Sequence, residues 1–165
     1  MQRIATVLFV LATLLLACDR EVRIADRSAG EAASRDSVIA VVERLRHAAI
    51  EKNVDEFMAL WERSDSVVYS RHGRTFVGWE EIWAEHDRAF SGTDRWTAEA
   101  GAVYAHSLGP NAGVGTSFTR LSSLEESNWF ITTLTVRASG GAWRIVQGHA
   151  SYPPTGVTPV GEAER

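Results

Sequence analysis

The sequence predicts an α+β fold in which three N-terminal helices pack on a strongly curved antiparallel sheet, forming a cone-shaped α+β barrel. First, apolar residues recur three or four positions apart in three segments before residue 93. Second, residues 96–151 alternate and are rich in threonine and β-branched side chains, as half-buried strands are. Third, turn signals separate these strands closely enough for hairpins. Helices followed by hairpin-linked strands are typical of an antiparallel sheet covered on one face.

Two helices are predicted at the start of the folded unit. The first spans residues 34–52, where valine, leucine and alanine form one stripe, and its first serine is expected as the N-cap. The second opens at Asn53 and carries Phe57, Leu60 and Trp61 on one face. A short strand at residues 67–69 follows the second helix.

A third helix is predicted between Gly78 and Gly92, after a turn at His72–Gly73. Glycine is common at helix ends because it tolerates the backbone conformations needed there. One broad face of this helix carries Trp79, Ile82, Trp83, His86 and Phe90. We therefore expect His86 to point into the protein.

Four long strands are predicted in the second half of the chain. Turn residues at Leu108–Asn111 and at Ser139–Gly141 separate them. The strands span residues 96–106, 113–121, 128–137 and 142–151. A strongly bent sheet of this kind leaves a cavity between itself and the helices.

The start of the chain has the features of a targeting signal. A basic N-terminus precedes the apolar run Ile4–Leu16, which is too short to span a bilayer. Cys18, the only cysteine in the chain, follows a small residue, and this resembles the lipobox of bacterial lipoproteins. The resemblance implies that residues 1–17 are a lipoprotein signal peptide and that Cys18 is lipidated. It implies an extracytoplasmic domain anchored to a bacterial membrane, and Asp19 favours the inner membrane.

The remaining chain divides into a tether, one domain and a tail. Residues 18–33 are charged, without a sustained apolar pattern, and are expected to be a lipid-anchored flexible tether. Residues 34–151 form the domain, and the proline-rich residues 152–165 are expected to be a disordered tail. The net charge of −4 and the lack of a basic cluster argue against a nucleic-acid partner. The only membrane contact expected is through the lipid anchor.

Three motifs in order resemble the SnoaL-like members of the nuclear transport factor two-like, or ketosteroid-isomerase-like, superfamily. They are Asn53-x-x-x-Phe57-x-x-Leu60-Trp61, Gly78-x-x-x-Ile82-x-x-x-His86-x-x-x-Phe90 and Gly141-x-Trp143-Arg144-Ile145-x-x-x-His149-x-Ser151. The resemblance covers residues 34–151. It implies a curved sheet with a pocket at its mouth, and often a homodimer formed through the outer face of the sheet.

The catalytic residues of ketosteroid isomerase have no counterparts here. That enzyme uses an aspartate base, with a tyrosine and a protonated aspartate in its oxyanion hole. Alignment of the first two helices places the tyrosine position on Leu45 and the base on Tyr69, or on Ser70 with a one-residue slip. None of these side chains can act as a carboxylate base. Isomerase chemistry of that kind is therefore not expected.

His86 and His149 are the candidate catalytic residues. His149 follows Ile145 by four residues, and strict strand alternation would therefore place both side chains on the core face. Two inward histidines could act as acid and base near neutral pH. This arrangement resembles that of the dehydratases of the superfamily. The alternative is that both are core histidines with satisfied hydrogen bonds.

Aromatic residues are the candidate lining of the pocket, and simple core packing is the alternative for each. The candidate ligand-pocket residues are Trp61, Tyr69, Trp79, Trp83, Trp129 and Ser151. Glu99 and Arg120 could face inward or solvent. No metal site is expected, because the chain has no His-x-x-x-His spacing or nearby carboxylate pair and its only cysteine is the predicted lipidation site. His72 and His106 are near turns, and His47 has no obvious partner.

The sequence therefore leaves three functions open. The first is a membrane-tethered domain that binds a small, mostly apolar molecule in its conical pocket, without a cofactor. The second is an acid–base enzyme, of the dehydratase, isomerase or hydrolase type, that uses the histidine pair. The third is a pocketless dimeric interaction domain.

Overall fold

The computed structural model describes residues 28–92, 96–123 and 126–153. Helix α1 covers the described residues 28–50. It is followed by α2 (Val54–Ala59), β1 (Val68–Arg71), β2 (Arg74–Val77), α3 (Trp79–Ser91), β3 (Thr97–Gly109), β4 (Ala112–Ser122), β5 (Ser127–Ser139) and β6 (Ala142–Ser151). The predicted signal peptide, Cys18 and nearly all of the predicted tail lie outside the described residues. Within the described ranges, no helix is both long enough and apolar enough to cross a membrane.

The six strands form one curled sheet in the order β2-β1-β6-β5-β4-β3. Helices pack against it, which confirms the predicted α+β class and agrees with a cone-shaped barrel. The expectation of a wholly antiparallel sheet is wrong, because β1 pairs with β6 in parallel. Parallel neighbours need a long crossover, and α3 with the β3–β5 meander supplies it. Strand β2, which the sequence did not predict, pairs with β1 through a turn in which His72 and Gly73 have positive φ.

Helix α1 lies very close to the sheet because two glycines of β4 face it. A Cβ atom at Gly113 would lie 2.6 Å from Val38 Cγ2, and one at Gly115 would lie 2.5 Å from Val42 Cγ2. Both valines are at most 1% exposed. The glycines therefore leave the space that the helix occupies.

The N-terminal boundary of α1 differs from the prediction. Residue 28 is already helical, so Ser34 is not an N-cap. Ser34 is 2% exposed within the helix, and its Oγ donates a hydrogen bond to the carbonyl oxygen of Ala112. The segment before it includes Ala29, Glu31 and Ala32, which are good helix formers, and residues 28–33 are helical.

The other two helices begin where the sequence predicts. The Asn53 side chain accepts a hydrogen bond from the backbone N–H of Glu56 and caps α2. Helix α3 follows Gly78, whose φ of 90° suits glycine. Ile82 and His86 on α3 are 0% and 2% exposed, so the helix turns this face toward the sheet.

Candidate functional site

A cavity of about 1000 Å³ lies between the helices and the concave face of the sheet. All three helices contribute to its wall, as do β1, the β3–β5 meander and the residues just after β6. Its lining is Leu45, Arg46, Ala49, Ile50, Phe57, Tyr69, Arg71, His86, Ala89, Phe90, Trp96, Ala98, Ser117, Thr119, Leu121, Ser122, Ser123, Glu126, Asn128, Phe130, Thr132, Tyr152 and Pro153. The cavity is therefore bounded by apolar side chains together with a small number of polar ones.

His86 is held in the cavity wall by aromatic neighbours. Its ring stacks on Phe57 with centroids 4.3 Å apart, and Tyr69 and Phe90 lie at 4.9 and 5.8 Å. Its Nδ1 is 2.8 Å from the carbonyl oxygen of Ile82. A carbonyl only accepts, so the neutral ring carries its proton on Nδ1 and leaves a lone pair on Nε2. No described residue is hydrogen-bonded to Nε2.

The burial of His86 keeps it neutral. Desolvation lowers its pKa to about 4, the hydrogen bond to Ile82 opposes this, and the charge of Arg71 lowers the pKa further. At neutral pH the imidazole is therefore a hydrogen-bond acceptor and not a cation.

Tyr69 and Arg71 project from the same face of β1, because they are two positions apart. Tyr69 is 3% exposed, and burial raises the pKa of its phenol to about 12. The phenol is therefore neutral and can donate a hydrogen bond. Ser70, between them, faces away and is hydrogen-bonded to Thr75.

Two arginines line the cavity, and their environments differ. Arg46 donates to the carbonyl oxygen of Gly101 at 2.6 Å and forms an ion pair with Glu43. The Nε of Arg71 is buried and has no hydrogen-bond partner, and its Cζ lies 5.6 Å from the centroid of the Phe130 ring. Arg71 is therefore available to a further partner in a way that Arg46 is not.

The expected inward position of His149 is wrong. Thr135 pairs with Gln147 while the next residue, Val136, pairs with Ile145, so β6 contains a β-bulge. The extra residue reverses the alternation beyond it. His149 is consequently exposed on the outer face of the sheet. It cannot share acid–base work with His86 inside the cavity.

Ser151 and Trp129 also lie outside the cavity wall. The same bulge turns Ala150, which is 0% exposed, inward and leaves Ser151 on the other face. In β5 the inward side chains are Asn128, Phe130 and Thr132, so the intervening Trp129 faces outward. The prediction that these two residues line the pocket is therefore wrong.

Three tryptophans predicted to line the pocket pack elsewhere. Trp61 is 2% exposed in the core, with its ring 5.7 Å from that of Tyr69. The indole N–H of Trp79 donates to the carbonyl oxygen of Met58, and Trp83 packs against the core. Of the candidate pocket aromatics, Tyr69 alone is part of the cavity wall.

The remaining ionisable candidates face solvent. The exposed side chains are those of His47, His72, His106, Glu99 and Arg120. His72 stacks on Tyr152 with centroids 5.1 Å apart, at the edge of the cavity wall. Among the described residues, no three histidine, cysteine or acidic side chains are grouped as metal ligands would be.

Sequence reasoning missed the polar part of the cavity. Arg71 could have been found, because it shares the strand face of Tyr69, which was a candidate. Ser117 and Thr119, which are 5% and 9% exposed, line the cavity from β4 opposite the outward Thr116 and Phe118. Thr116, Phe118 and Arg120 share the other face of β4, so the alternation of this strand was a signal that Ser117 and Thr119 point inward.

Residues 38–155 match the family model of the SnoaL-like domain. No curated protein matches the chain at a significant level.

Solved structures with the same fold come from several bacteria. An NTF2-like protein of unknown function from Pseudomonas putida is 18% identical, with a TM-score of 0.64, over 74% of this chain and 88% of that one. A candidate dehydratase of the NTF2-like family from Streptomyces avermitilis is 15% identical, with a TM-score of 0.63, over 73% and 96%. An uncharacterised protein with a cystatin-like fold from Caulobacter vibrioides is 16% identical, with a TM-score of 0.64, over 74% of this chain and 92% of that one. At these identities the likeness shows the fold alone.

Proposed function

The chain belongs to the family of SnoaL-like domains, and from this premise we propose that it binds a small, mostly apolar molecule in the cavity between its helices and its sheet. The observation that carries the proposal is the cavity itself. Its volume of about 1000 Å³ is at the upper end of the range of small-molecule sites, which are mostly apolar with a few placed polar groups. Phe57, Phe90 and Phe130 supply apolar contact area, and Ser117 and Thr119 supply hydroxyls.

Native mass spectrometry of the domain purified from its own host tests this proposal. We expect a retained small molecule that is released on denaturation. Ala98→Trp, which fills part of the cavity, should reduce its occupancy, whereas Ala138→Trp at an exposed position of β5 should retain it. A wild-type domain that is ligand-free, and that takes up no compound from a host extract, would contradict ligand binding.

One observation favours a second candidate, an acid–base enzyme. His86 has a neutral ring with a lone pair on Nε2, and the neutral Tyr69 phenol belongs to the same cavity wall. The two rings are 4.9 Å apart between centroids, so a bound substrate could contact a base and a proton donor together. The candidate dehydratase from Streptomyces avermitilis shares the fold. In such an enzyme His86→Phe would abolish turnover while leaving ligand retention in place.

The proposed location is a membrane surface outside the cytoplasm. Its support is the position of Cys18 after the apolar run, with Asp19 favouring the inner membrane. Helix α1 is present from residue 28, so residues 19–27 would span at most about 30 Å between a lipidated Cys18 and the domain. The cavity would then work close to the bilayer.

A further inference from the structure

We propose that the cavity selects amphipathic organic anions, with the guanidinium of Arg71 binding the anionic group and the aromatic wall holding the apolar body. This rests on the proposed function, because it specifies the chemical class of the ligand. Arg71 would then serve to bind the ligand and not to stabilise the fold.

The first argument is the unsatisfied hydrogen-bonding capacity of Arg71. Its Nε is buried without a hydrogen-bond partner, although buried polar groups in native proteins are nearly always paired. The guanidinium also forms no ion pair with a carboxylate of the described residues. Arg71 also lines the cavity, so a ligand oxygen bound there can pair with its guanidinium, and a charged oxygen forms the stronger bond.

The second argument is that the positive charge of Arg71 is not neutralised within the cavity. Burial is the main cause of the lowered pKa of His86 and of His72 and of the raised pKa of Tyr69, and the charge of Arg71 adds to the first two shifts and opposes the third. Glu85 acts in the opposite direction, but its carboxylate is paired with Arg88. Of the two arginines of the cavity wall, Arg46 is paired with Glu43, whereas Arg71 has no paired carboxylate among the described residues.

The third argument is the geometry around that cation. The Cζ of Arg71 lies over the ring of Phe130, 5.6 Å from its centroid. A guanidinium is a planar fork of N–H donors that matches a two-oxygen group. Glu126, the acidic residue of the wall, accepts a hydrogen bond from Asn128 at 3.2 Å. An anionic head at Arg71 can therefore be joined to an apolar body that contacts Phe57 and Phe90.

A matched pair of fluorescent probes tests the proposal on the mature chain. Dansylaminoundecanoate carries a carboxylate, and its methyl ester has the same body without the charge. We expect the wild type to bind the acid at least about tenfold more tightly than the ester, as a charge-assisted hydrogen bond predicts. Arg71→Met should remove this preference while changing the affinity for the ester less than about twofold. Near-ultraviolet circular dichroism checks that the variant is folded.

The control is Arg120→Met, which removes an exposed arginine of β4 that donates to Ser127 on the outer face. It should leave both affinities unchanged. Equal affinity of the wild type for acid and ester would overturn the role of Arg71 and leave the proposed function standing. An equal loss of affinity for both probes in Arg71→Met would likewise refute selection by charge. If neither probe bound the wild type, the proposed function and this inference would both be wrong.

Discussion

The neutral state of His86 makes a specific prediction about stability and pH. Its pKa lies at about 4 in the folded domain against 6.5 for an unperturbed histidine, chiefly because burial disfavours the cation. The unfolded chain therefore binds more protons than the folded one between these values. The contribution is fully present above pH 6.5 and is lost as the pH falls toward 4. A difference of one pKa unit between the folded and unfolded states corresponds to about 1.4 kcal/mol, so the free energy of unfolding should fall by about 3 kcal/mol across this window.

The variant His86→Phe isolates this contribution, because it keeps an aromatic ring against Phe57 and removes the titrating group. Urea unfolding of both proteins at several pH values between 4 and 7.5 gives the two stability curves. Carboxylates such as Glu62, whose pKa is lowered mainly by its hydrogen bond to Arg137, affect both stability curves alike. We expect the wild type to lose about 3 kcal/mol more than the variant on acidification. Parallel curves, or a resonance assigned to the His86 ring that titrates near pH 6.5, would refute the assignment of His86 as a buried neutral acceptor.

Four further outcomes are expected. Gly115→Ala should cost about 1–3 kcal/mol in chemical denaturation, because its Cβ would lie 2.5 Å from Val42 Cγ2, and Val42→Ala in the same chain should recover part of the loss. Gly30→Ala, where nothing lies within 4 Å of the added Cβ, should instead stabilise α1 by up to about 1 kcal/mol, and the opposite order would contradict the packing described. Cys18→Ser should move the protein from the membrane to the soluble fraction, and retention on membranes after a high-salt wash would argue against lipid anchoring. If the domain dimerises through the outer sheet face, Tyr104→Glu, at a 53% exposed position, should yield a monomer in analytical ultracentrifugation, whereas a wild-type monomer would rule the dimer out.

The helices and strand pairs could be predicted because each leaves a repeating signal in the sequence. The stripe that contains Ile82 and His86 gave the inward face of α3, and the structure has that face buried. The position of His149 could not be obtained in the same way. One bulge residue in β6 reverses the alternation, and its presence depends on pairing with β5, which the local pattern of β6 does not encode.

Strand β5 posed a different difficulty, because its apolar residues occupy both faces. Trp129 and Ile131 share one face, whereas Phe130 and Leu134 share the other. Alternation alone could not decide which face met the helices. Large aromatic residues are expected in cavities, and this favoured Trp129. The structure instead uses Phe130 in the wall, beside an arginine that hydropathy would assign to solvent.

The charges of the cavity connect its two candidate functions. Burial and Arg71 both oppose protonation of His86, so near neutral pH the imidazole adds no second cation beside Arg71. A ligand with a single anionic group matches this arrangement, since a second such group would be left without a counter-charge. Binding of that group would screen the effect of Arg71 and raise the pKa of His86, and by linkage protonation of His86 would strengthen binding. Anion binding would therefore bring His86 closer to the range in which a general base works near neutral pH. The same arginine that would select a ligand would also adjust the one imidazole positioned to act on it.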